Sequence, residues 1–186
     1  MDAPTDLLEP PPYRAYAGVG SRETPPEILE IMRRVGQSLA QQGWTLRSGA
    51  AQGADSAFED GCRLVEGARM EIYLPWKGFS GRESGNGNFL VPADIRPLAE
   101  AEAEWAHPSW RYLKHGAKML HTRNACQVLG MDLDSPAKFV LCWTAGGTGK
   151  GGTGLAIRLA KRHNIPVFDL AHEASLLRVA QAFGPF

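Results

Sequence analysis

The chain has 186 residues, 44% of them hydrophobic, enough for one domain with a proper core and too few for two. Its 20 basic and 20 acidic residues cancel, which excludes a global basic field of the kind that drives salt-sensitive nucleic-acid binding. Cys62, Cys126 and Cys142 form neither a CxxC pair nor a secreted disulfide pattern. With no leader-like segment and no long apolar run, they imply a soluble cytoplasmic protein with buried thiols and no membrane partner.

Residues 1–13, with four prolines, read as an extended lead-in to a single domain over residues 14–186. AYAGVG is a short apolar run ending in glycine, the form of a buried strand feeding a loop. Thr24, Pro25 and Glu27 then predict a capping box, and Ile28, Met32, Val35 and Leu39 form one apolar helix face that Gly43 stops. WTLRSG reads as a second strand and GADSAFEDGCRLVEG as a second helix with Ala57, Phe58 and Leu64 inward. MEIYLPW is a third strand. KGFSGRESGNGN, residues 77–88, is glycine-rich and aperiodic, the character of a lid from which Lys77 and Arg82 reach a bound anion. Helices follow around residues 97–105 and 109–127. AKFVLCW is the fourth strand, GLAIRLAKRHN a helix, IPVFDL the fifth strand and EASLLRVAQAF the last helix. This alternation predicts an α/β fold, a Rossmann-like doubly wound parallel sheet of about five strands with helices on both faces. Ligands of such sheets sit at the carboxyl ends of the strands.

Three glycine loops fall at those ends. TAGGTGKGGTG, residues 144–154, supplies Gly146, Gly147, Thr148, Gly149, Lys150, Gly151, Gly152 and Thr153. It fails as a Walker A loop, because Gly151 follows Lys150 where a magnesium-binding hydroxyl belongs. Gly149, Gly151 and Gly154 spell a dinucleotide fingerprint with Asp169 downstream, but on the fourth strand and not the first. The broader expectation is an anion cradle: a turn needs one or two glycines, and six argue for close approach of a ligand to backbone N–H groups and a helix N-terminus. GVGSRETP offers Gly20, Ser21 and Arg22 either as a second cradle or as a helix start. RSGAAQGAD offers Ser48, Gly49, Gly53 and Asp55, the last as a helix cap or a ribose ligand. The five histidines show no paired-ligand spacing, so neither a metal nor another cofactor is expected. WAHPSW is assigned to packing or base stacking, and KRHN to a helix end.

AGVGSRETP followed by LRSGAAQGADSAFE resembles the GSR…T and SG…GxD signature of DNA-processing protein A. LHTRN followed by a strand and GGTGKGGTG resembles the pattern of the Lonely Guy phosphoribohydrolases. Over residues 15 to 170 the chain is therefore similar to the SMF/DprA–LOG superfamily of Rossmann-like nucleotide-binding proteins. The resemblance implies a nucleotide or phosphoribosyl-type ligand and a homodimer, and makes Arg123 the counterpart of the family's catalytic arginine, with His121 two residues before it. Asn124 stands where the family has lysine. The family's glutamates are missing too: Ile157 and Arg158, or Gly152 and Thr153, occupy their places. Glycoside cleavage through an oxocarbenium-like transition state needs a carboxylate. Asp55, at a helix start that should favour its charged form, is the first substitute, with Glu59 and Glu83 behind it. Three functions follow in order: nucleotide binding through convergent glycine loops, a nucleotide N-glycosidase or phosphoribohydrolase with a non-standard carboxylate, and a single-strand DNA-binding mediator.

Overall fold

Short apolar runs became strands and amphipathic runs became helices in the computed structural model, which describes residues 13–184. The elements are β1 (Ala15–Gly18), α1 (Pro26–Gln41), β2 (Thr45–Ser48), α2 (Ala54–Arg63), β3 (Arg69–Leu74), β4 (Asn88–Leu90), α3 (Arg96–Ala106), α4 (His115–Leu129), β5 (Val140–Cys142), α5 (Gly151–Arg162), β6 (Val167–Asp169) and α6 (Glu173–Phe183). All six strands are parallel, in the order β4-β3-β2-β1-β5-β6. The strand beyond the five expected is β4, three residues at the end of the glycine-rich segment that pair with the edge of β3 from Ile72 opposite Asn88. It is too short to announce itself by periodicity. Apart from Tyr13, the lead-in lies outside the described residues.

The strands are buried on both sides because β1 sends successive side chains to opposite faces. Tyr16 packs with Met32, Leu39 and Phe58 under α1 and α2, joined by Val179 of α6. Ala17 packs with Val128, Leu155 and Leu159 under α4 and α5, joined by Ala99 and Ala103 of α3. The three cysteines are free and buried within these layers.

Local details differ from the sequence expectation at three places. Thr24 does not cap α1: its hydroxyl donates to the Ser21 carbonyl at 2.7 Å, Pro25 takes the cap position and Pro26 the first helical one. Leu64 is 56% exposed, because α2 ends at Arg63 and the chain turns before Leu64 can face inward. KRHN does lie at the end of α5, but it is not simply a solvated terminus: Arg162 and His163 both reach Glu102 of α3, at 3.4 and 3.1 Å. No helix among the described residues is long and apolar enough to cross a membrane.

From β1 the chain winds outward through β2, β3 and β4, then returns across α3 and α4 to enter β5 on the other side of β1. The order reverses between β1 and β5, and the loops leaving these two neighbours diverge and leave a crevice.

Candidate functional site

A cavity of about 580 Å³ occupies that crevice. The β1–α1 loop contributes Gly20, Ser21 and Arg22; α2 contributes Asp55; α4 contributes His121, Arg123, Asn124 and Gln127. The β5–α5 loop and first turn of α5 contribute Thr148, Lys150, Gly151, Gly152 and Thr153. All three glycine-marked segments therefore meet, but Ser48, Gly49, Gly53, Gly146, Gly147 and Gly149 are absent from the lining.

Most of the glycines in TAGGTGKGGTG answer to the turn itself. Gly146, Gly147, Gly149 and Gly151 all have positive φ, and a Cβ on Gly154 would lie 2.0 Å from the Gly149 carbonyl oxygen. The expectation that six glycines exceed what a turn needs is corrected accordingly: only Gly151 and Gly152 both belong to the loop and line the cavity. Asp169 holds the turn, accepting hydrogen bonds from the Thr144 amide at 3.1 Å, from the Thr144 hydroxyl and from the Ala171 amide at 3.1 Å. It is a loop anchor, which removes the downstream acid of the dinucleotide fingerprint. What the turn delivers is the N-terminus of a twelve-residue helix with no side-chain cap and no acid in its first turn. The first-turn amides at Gly151, Gly152 and Thr153 have no intrahelical acceptors, and the helix dipole favours an anion there.

In the lining of the same cavity, Arg123 is 4% exposed, and its Nε and Nη1 are buried without a hydrogen-bond partner. Asp55 lies 3.7 Å from Nη1, an ion pair beyond hydrogen-bonding distance. Burial pushes the guanidinium below its ordinary value, Asp55 opposes this, and an arginine retains its charge throughout. Gly49 makes room for it: a Cβ there would stand 1.0 Å from Nη1. The Gly49 amide in turn donates to Asp55 Oδ2 at 3.1 Å. Ser48 faces away, donating to Glu59 at 3.1 Å, and Gly53 packs against the Ser21 carbonyl of the neighbouring loop. Both are supports of the wall.

Asp55 does not cap α2, and its carboxyl holds a proton more tightly than an ordinary aspartate. Burial is the largest influence and, with Glu59 adding to it against Arg123 and backbone donors, pushes the carboxyl up to about 6. The cost of taking this carboxylate out of water exceeds the stabilisation expected from the helix N-terminus. Glu59 is fully buried and held by Arg63 and Arg82 at 2.7 and 2.6 Å. Arg82 therefore does not reach for an anion, and Lys77 lies 3.9 Å from Glu83 on the exposed surface. Segment 77–88 instead braces the wall: Ser80 donates to the Ala50 carbonyl at 2.8 Å and the Phe79 ring lies 5.8 Å from the Arg123 guanidinium carbon.

His121 packs against His107, with ring centroids 4.7 Å apart and the planes tilted by 48°. Burial, with His107, Arg123 and Arg158 adding to it, pushes His121 down to about 4, so its imidazole is neutral at pH 7. Trp110 is core, whereas Trp105 is 57% exposed beneath Arg162, away from the cavity. Asn124 and Gln127 were not singled out as ligand-facing from sequence. With Ala117 and Leu120 they follow the three- and four-residue spacing that puts side chains on one helix face, which is the signal that could have found them. Among the described residues no group of three or more His, Cys, Asp or Glu side chains could hold a metal.

No protein-family model matches the chain, and no curated protein matches it in sequence. Solved structures do match in fold. DNA processing protein A from Helicobacter pylori, described for its single-stranded DNA binding mode, superposes with a TM-score of 0.53 at 16% identity, over 93% of this chain and 74% of that one. The molybdenum cofactor carrier protein from Chlamydomonas reinhardtii gives 0.51 at 14%, over 91% and 84%. DNA processing protein A from Streptococcus pneumoniae gives 0.51 at 15%, over 93% of this chain but 58% of its own. At identities this low the superpositions show the fold alone: the chain has the Rossmann-like fold of DNA processing protein A and the molybdenum cofactor carrier protein.

Proposed function

We propose that the protein binds a nucleotide or phosphoribosyl-type small molecule in the crevice between β1 and β5. One observation carries this reading: a buried arginine with two unpartnered nitrogens shares a cavity with an uncapped helix N-terminus. Leaving a buried charge short of hydrogen bonds is costly, and the oxygens of a phosphate would supply acceptors that the protein itself does not. The fold neighbours are described for single-stranded DNA binding and for carrying a cofactor, both of them binding roles, which supports recognition ahead of catalysis.

Calorimetric titration of nucleoside monophosphates and ribose 5-phosphate into the parent and Arg123→Ala tests it. The variant should lose about 1.5–3 kcal/mol, roughly tenfold or more in Kd. Equal affinity in a folded variant would refute the role given to Arg123. A single-stranded oligonucleotide belongs in the same series: tighter binding than any mononucleotide, with a steep salt dependence, would favour the DNA-binding alternative.

Asp55 supports a second reading, hydrolysis of the bound nucleotide. It is a carboxyl in the cavity wall, pushed up to about 6, where a proton can be exchanged near neutrality. Water would add to the anomeric carbon as the bond to the base breaks, and the base would leave with a proton. Asp55→Asn should then abolish base release while sparing binding. No base release by the parent from any nucleoside monophosphate would end this reading and leave the first intact.

A further inference from the structure

Gln127 is a polar residue where the helix pattern calls for an apolar one. It is 1% exposed, its neighbours Ala125, Cys126, Val128 and Leu129 are core residues, and its amide nitrogen has no hydrogen-bond partner. A buried carboxamide in that state is destabilising, and leucine or methionine would fill the same volume without the penalty. Yet Gln127 forms part of the wall of the cavity that holds the anion site.

Its position along the cavity says what it faces. The lining runs along α4 from Ala117 to Gln127, ten residues and about 15 Å of helix, much longer than a phosphate group. The far end of α4 is the inner end: the Val128 carbonyl accepts from Ala137, and the next residue, Lys138, donates to Ala15 at the start of β1, both at 2.8 Å. The first turn of α5, with its free amides, lies at the opposite, carboxyl edge of the sheet. A ligand whose phosphate sits at α5 therefore extends its uncharged end down α4 towards Gln127, past Asn124.

We infer that Gln127 is a specificity-determining residue that donates a hydrogen bond from its side-chain amide to a ring nitrogen or carbonyl oxygen on the heteroaromatic end of a nucleoside phosphate. The inference rests on the proposed nucleotide site and adds which residue reads the ring. It explains why an unpartnered amide is kept in a helix otherwise packed with apolar side chains: the ligand is the partner. Because the terminal torsion of glutamine is soft, the carboxamide turns to its acceptor without moving the helix.

The test compares parent, Gln127→Leu and Gln127→Met for binding of adenosine, guanosine, cytidine and uridine monophosphates and of ribose 5-phosphate, which lacks the ring. Both variants should bind the preferred monophosphate about tenfold more weakly, discriminate less among the four, and bind ribose 5-phosphate as the parent does. In the absence of ligand their Tm should equal or exceed that of the parent, since the unpartnered amide is gone. Equal losses for ribose 5-phosphate and the monophosphates would make Gln127 a structural residue and overturn the inference, as would unchanged affinity for every ligand. Should the parent bind neither monophosphates nor ribose 5-phosphate, the nucleotide site itself would fall, an outcome separable from failure at Gln127 alone.

Discussion

Arg47 and Arg123 are almost equally buried, at 2% and 4% exposure, and they differ in what surrounds them. Arg47 donates to Glu71 at 2.8 Å, to the Ser135 carbonyl at 2.6 Å and to the Tyr13 hydroxyl at 2.9 Å, so each of its nitrogens has a partner. It is a fastener between β2, β3 and the segment after α4. Arg123 has one carboxylate at 3.7 Å and two bare nitrogens, the deficit on which its proposed role in binding rests. The Gly49 contact gives an independent handle on it. Gly49→Ala should push the guanidinium from its place and weaken phosphate binding to about the extent of Arg123→Ala, with the charge still present; wild-type affinity in calorimetry would mean that the guanidinium position is immaterial. Asp55 gives a pH handle. Its carboxyl is raised from 3.8 to about 6 in the folded protein, so between these values the folded state holds more protons than the unfolded one. The stabilising effect of the bound proton is fully present below about pH 4 and lost as pH rises through 6. Relative to Asp55→Asn, the parent should lose on the order of 3 kcal/mol of unfolding free energy across that window, measured by urea denaturation at a series of pH values. A rising difference would show that the Arg123 pair outweighs burial. Arg123 was recognisable from LHTRN, but its unpartnered state and the raised carboxyl were not, because both depend on burial created by α2, α4 and the 77–88 segment together.

Elements were legible wherever one period persisted. The apolar spacing of α1 and the short apolar runs of β1, β2, β3 and β5 stood out because each is buried on a definite face. β4 was missed because three residues in a glycine-rich stretch carry no period, and the start of α5 was placed late because Gly151 and Gly152 are poor helix formers that tertiary context overrode. The 77–88 segment was read as a lid closing over the ligand by its own cations; the structure puts Arg82 on buried Glu59 and Phe79 near Arg123. That arrangement connects the segment to Glu59 and Arg123 through side chains. Ligand binding, by fixing Arg123, should slow amide hydrogen exchange over residues 77–88, and Arg82→Ala should speed it in the free protein. Exchange insensitive to both changes would reduce the segment to an ordinary surface loop.

At the scale of the molecule, the sheet order β4-β3-β2-β1-β5-β6 determines where chemistry is possible. The alternation of strands and helices announced a doubly wound sheet, and strand ends announced where its loops would meet. Sequence could not say that β5 returns beside β1, since that depends on the crossover through α3 and α4, and it is this return that brings Gly20, Arg123 and Gly151 to one cavity. A phosphate-bearing ligand should engage the first turn of α5 in that cavity. The most direct measurement is an NMR titration of backbone amides with adenosine and guanosine monophosphates. Shifts should concentrate at Gly151, Gly152 and Thr153, with smaller ones at Ser21 and Arg22. Binding that left those α5 amides unmoved while shifting residues around Arg47, Tyr73 and Phe89 would contradict it.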